Sequence, residues 1–160
     1  MDWKKHIVAG VLALATLQAA VAQAPSSPNP KTASVEGALS VFVTAFENLD
    51  WQAFRTCFST TVTIFHPAAP NTKLIDSPDQ FEKAWLGVFE RIKKSSGRSS
   101  PPYMSIHPLD LRVEKLSEDV VLVTFDLVDG RTVGRRTLIF KREPDGWKVV
   151  HIHASNITAP

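Results

Sequence analysis

The chain has 160 residues, 18 Lys and Arg against 16 Asp and Glu, one cysteine and 44% hydrophobic residues. That length suits one domain of about 100–150 residues with a single core. The near balance of charge excludes a broad electrostatic claim on nucleic acid, and one cysteine excludes an internal disulfide framework or a Cys-based zinc knuckle.

Residues 1–22 read as an export signal. Lys4 and Lys5 make a basic start, residues 7–17 (IVAGVLALATL) are uncharged and mostly apolar, and Ala20-Val21-Ala22 supplies a small-x-small cleavage pattern. The apolar run is short of the roughly 20 residues that span a bilayer. The expectation is a periplasmic or secreted protein with no membrane contact after cleavage. In an oxidising compartment the lone Cys57, set between aromatic residues, is expected to be buried and inert. Residues 23–33 (QAPSSPNPKTA) have little to bury and read as a flexible linker, which leaves 34–160 as the folded domain.

Helical spacing begins at Ser34, with Val35, Leu39, Phe42 and Phe46 on one stripe. Asp50 is placed to cap a second short helix carrying Phe54 and Phe58. Residues 61–66 (TVTIFH) are β-branched and aromatic, which predicts a strand ended by Pro67. Ser77-Pro78-Asp79-Gln80 is a capping-box start for a third helix with Phe81, Trp85, Phe89 and Ile92 as its apolar stripe. That helix should stop at Ser95-Ser96-Gly97.

The remaining residues predict an antiparallel meander. Its strands are 103–116, 120–128, 131–142 and 147–155, with hairpin turns at Asp129-Gly130 and Pro144-Asp145-Gly146. Residues 120–128 are apolar at successive positions, which predicts a central strand covered on both faces. Helices, a strand, a helix and then strands make an α+β layout with helices on one face of a curved sheet.

Two stretches carry a resemblance. Phe46-Glu47-Asn48-Leu49-Asp50-Trp51 leads to Phe58 and TVTIFHP, and the chain closes on Asp145-Gly146-Trp147-Lys148-Val149-Val150-His151-Ile152-His153-Ala154-Ser155. Together they resemble the nuclear transport factor 2-like, or SnoaL-like, superfamily. The ending is most similar to the association domain of calcium/calmodulin-dependent protein kinase II. The resemblance covers residues 34–158. It implies a cone-shaped, cystatin-like sheet with a pocket between sheet and helices, and a dimer through the outer sheet face. It leaves the reaction open, because this fold hosts isomerases, dehydratases, cyclases and proteins that only bind or assemble.

Strand alternation puts His151 and His153 on one face with Trp147, Val149 and Ser155, and that face is expected to line the cone. Each histidine is then either a pocket acid or base, or a hydrogen-bonded structural group. His66 falls where the resemblance places the carboxylate base of ketosteroid isomerase relatives, and Phe42 where they keep a phenol. With both altered, an oxyanion-hole isomerase of that type is not expected, although His66 remains a candidate base for another reaction. Asp126 stands in an apolar strand as a pocket acid or as the cross-strand partner of Arg135 or Arg136. Those two arginines point to opposite faces, so one at most lines the pocket. The association-domain arginine falls at Leu138, so that ligand site does not transfer intact.

The expected ligand wall is Phe46, Trp85, Phe89 and Tyr103, with Arg135 and His153 as its polar members. No cofactor or metal signature is present, since His-x-His lacks a third ligand at a supporting spacing. The leading expectation is an exported protein that binds a small, mainly apolar ligand in the cone, self-associates, or both, without catalysis. The alternative is a small isomerase, dehydratase or cyclase-type enzyme using a pocket histidine as general base.

Overall fold

A computed structural model describes residues 33–67 and 73–158. The proposed signal, residues 1–22, and all of the proposed linker except Ala33 lie outside the described residues. Helix α1 spans Val35–Glu47, and its Ser34 cap accepts from the Gly37 N–H. Helix α2 spans Trp51–Thr56, capped by Asp50, which accepts from the Ala53 N–H at 3.0 Å. Phe58 is not on that helix: it opens strand β1, Phe58–Phe65.

Helix α3 runs Pro78–Ser96, from the Ser77 cap to a left-handed Gly97 at φ 64°. Its start and stop follow the local chemistry, since a hydroxyl cap, Pro at N1 and Gly past the end each satisfy or tolerate the unpaired backbone of a terminus. No helix among the described residues is long and apolar enough to cross a membrane.

The other strands are β2 (Leu109–Lys115), β3 (Val120–Asp129), β4 (Thr132–Glu143) and β5 (Gly146–Thr158). They form one sheet in the order β1-β5-β4-β3-β2, antiparallel except for the parallel β1–β5 pair. This is the expected α+β architecture with two differences. Residues 101–108 are not strand: they form a loop hung on the end of α1, where Glu47 accepts from the Tyr103 N–H through its carbonyl (2.8 Å) and from the Ile106 N–H through Oε1 (2.7 Å). Strand β3 is buried on alternate residues only, with its outward side chains half-buried in the single chain.

The core lies between the inner sheet face and the three helices. Phe54 is its centre, fully buried, with the rings of Phe42, Phe58, Trp85 and Phe89 at centroid distances of 4.8–5.4 Å. Cys57 is buried beside it as a free thiol, and burial pushes its pKa up to about 11.

Candidate functional site

The parity of β5 decides what lines the pocket. Phe140 pairs with Val149 and Ile139 with His151, so Val150 is an extra residue on β5. Such a bulge reverses which face each later side chain meets. Trp147 and Val149 point inward, but beyond the bulge Ile152 and Ala154 take the inner face. His151 and His153 are therefore on the outer face, contrary to expectation. His153 is exposed, packs at 5.5 Å against the exposed ring of Phe65, and does not line the pocket. His151 sits 2.8 Å from the Thr63 hydroxyl, and burial, with help from neighbouring His153, holds its pKa below 6.5.

The inner face, α1, α3 and the 101–108 loop enclose a pocket of about 270 Å³. Phe46 and Trp85 line it as expected. Phe89 does not, because it turns into the core against Phe46 and Phe54. Tyr103 is also outside the lining, with its ring under the Lys93 ammonium at 5.6 Å. Most of the wall comes from residues with no distinctive sequence signal, among them Met104, Ile106, Phe125, Leu127 and Leu138.

The polar members of the lining are few. His66 lies at the end of β1, its ring 5.9 Å from that of Trp85. The indole N–H of Trp85 is itself buried and has no acceptor among the described residues. Arg91 reaches the pocket from α3, and Arg136 from β4. Arg135, the expected arginine, is exposed on the opposite face in register with Asp126. Asp126 is likewise outside the lining, and among the described residues neither arginine is within ion-pairing distance of it. Arg136 was legible from parity alone: it alternates with Leu138 and Phe140, the two most buried residues of its strand.

The Arg136 guanidinium rests on Gly134. It donates to the Ser155 carbonyl (3.1 Å), to the Arg135 carbonyl (2.9 Å) and through both terminal nitrogens to Asn156 Oδ1 (3.2 Å). A Cβ on Gly134 would stand only 2.9 Å from Nη2, so glycine makes room for the head group there. Burial lowers the Arg136 pKa, and Asp126 opposes that effect. It stays a cation, because guanidinium is not deprotonated in proteins.

A family model for the SnoaL-like domain matches residues 35–160. The chain belongs to that family. No curated protein matches it. Solved structures share the SnoaL-like fold at low identity. A proposed dehydratase of the nuclear transport factor 2-like family from Streptomyces avermitilis is 21% identical, with 78% of this chain and 94% of that one covered at a TM-score of 0.61. A proposed calcium/calmodulin-dependent protein kinase type II association domain from Thiobacillus denitrificans is 22% identical, covering 81% and 100% at 0.58. A proposed ketosteroid isomerase from Shewanella frigidimarina is 16% identical, covering 74% and 91% at 0.57. At these identities the likeness is one of fold.

Proposed function

We propose that this SnoaL-like protein is exported and binds a small, mainly apolar ligand in the pocket between sheet and helices without transforming it. The observation that carries the reading is the pocket itself: its wall is built of Phe, Trp, Ile, Leu and Met side chains with a few polar groups, the usual composition of a small-molecule site. The test is native mass spectrometry of the full chain after exposure to a cell extract. A compound should stay with the protein and be lost from Ala154→Phe, which grows into the pocket. A folded protein that retains nothing overturns the reading.

Self-association through the outer sheet face belongs to the same proposal. Phe65 and Ile157 are each 44% exposed there, and Val133 and Ile139 are half-buried beside them. Size-exclusion chromatography with light scattering should give a dimer or larger; a monomer at high concentration overturns this part.

His66 favours the enzymatic alternative, because an imidazole in an apolar pocket is a competent general base. If the retained compound is converted on incubation and His66→Gln stops the conversion, the isomerase, dehydratase or cyclase reading replaces the binding one.

A further inference from the structure

The polar groups of the pocket are one-sided. Among the described residues its lining holds the guanidinium groups of Arg91 and Arg136 and the imidazole of His66, but no Asp or Glu. A half-buried cation whose hydrogen bonds go only to neutral acceptors costs free energy, and an anionic acceptor offsets that cost. Arg136 is placed for that role. It lines the apolar pocket and also a second, more polar groove of about 520 Å³ whose polar members include Ser105, His107, Asp129, Thr132 and Asn156. Its head group therefore stands where the apolar space meets the polar one.

We propose that the ligand is an amphipathic monocarboxylate, with its carboxylate on Arg136 and its apolar body in the pocket. This rests on the ligand-binding reading above and names the class of ligand. The terminal nitrogens already share Asn156 Oδ1, which leaves the Nε–Nη2 edge of the guanidinium to match a carboxylate with two parallel hydrogen bonds. A single negative charge fits the single arginine that sits at the boundary, with Arg91 as the other fixed cation among the described residues of the lining. At about 30 Å³ per small group, the volume share of one liquid water, the pocket admits a body on the order of nine or ten non-hydrogen atoms. The Gly134 and Asn156 cradle fixes the guanidinium in advance, so little side-chain freedom is lost when the carboxylate arrives.

The experiment titrates the full chain with octanoate and with octan-1-ol, read by calorimetry and by tryptophan fluorescence. Octanoate is expected to bind at least about tenfold more tightly than the alcohol, as a charge-assisted bidentate contact implies. Arg136→Gln should remove that preference, with an unchanged circular dichroism spectrum and cooperative urea unfolding showing that the variant is folded. Gly134→Ala displaces the guanidinium without removing its charge and should lose part of the preference. Equal affinities in the unmodified protein overturn the carboxylate assignment and leave the apolar pocket standing. A preference that survives Arg136→Gln, or that Arg91→Gln alone abolishes, overturns the place given to Arg136. Binding of neither compound overturns this proposal and counts against the ligand-binding reading on which it rests.

Discussion

The Thr63 hydroxyl lies 2.8 Å from Nδ1 of His151, and that contact fastens the first strand to the last on the outer face. Removing it with Thr63→Val should cost about 0.5–1.5 kcal/mol, the net worth of one such hydrogen bond, measured by urea unfolding. His151 also makes stability depend on pH. Its folded-state pKa is held below 6.5, so the unfolded chain takes up the proton first. The contribution is fully present above pH 6.5 and is lost as pH falls through the lower folded-state value. The melting temperature should therefore decline between pH 7 and 5, and less steeply in His151→Gln.

Phe54 is the residue around which the aromatic core closes. Phe54→Ala should destabilise by about 3–5 kcal/mol, because rings on several sides cannot collapse into the space. A loss under 1 kcal/mol in denaturant titrations would contradict this packing.

Cys57 should be silent in the folded state. With its pKa pushed up to about 11 by burial, little thiolate exists at pH 8. A disulfide exchange reagent at that pH should react slowly with native protein and promptly once urea is added. Fast native labelling would place the thiol elsewhere.

Lys148 is a buried ammonium joining two elements. It donates to the Thr56 carbonyl at the end of α2 (2.7 Å) and meets Asp145 at 2.9 Å. Lys148→Met keeps the stem but leaves that carbonyl without this donor. The expected cost is about 1–3 kcal/mol, read from thermal and urea unfolding.

The outer face offers a separate test. Phe65→Glu puts a charge into the surface proposed to pair between copies, where an unpaired carboxylate is costly to bury. Light scattering should shift toward monomer while the circular dichroism spectrum is unchanged.

Local chemistry made much of the fold readable in the chain. Ser34, Asp50 and Ser77 cap the three helices, Gly97 ends the third, and Gly130 marks a hairpin turn. These features depend on a few neighbouring residues, so the sequence carries them directly. The SnoaL-like resemblance was legible for the same reason, in contiguous motifs at both ends of the domain. The site was less legible, because its members come from α1, β1, α3, a loop and three strands, and most are ordinary apolar residues.

The bulge at Val150 shows what local reading lacks. Strict alternation along β5 sends His151 and His153 into the cone with Trp147, but one extra residue turns both outward and brings Ile152 and Ala154 in. A bulge is a property of the register between two strands, here β4 and β5, and no residue of β5 declares it alone. The choice of Arg136 over Arg135 follows from the same ladder: Arg135 stands opposite Asp126 on the outer face, and Arg136 turns inward with Leu138. The order of residues along the chain was enough for capped helices over an α+β sheet, a buried cysteine and no more than one of Arg135 and Arg136 turned inward. Strand order, the bulge and the loop hung on Glu47 decided which side chains share the pocket, because these rest on backbone pairing between residues far apart in the chain.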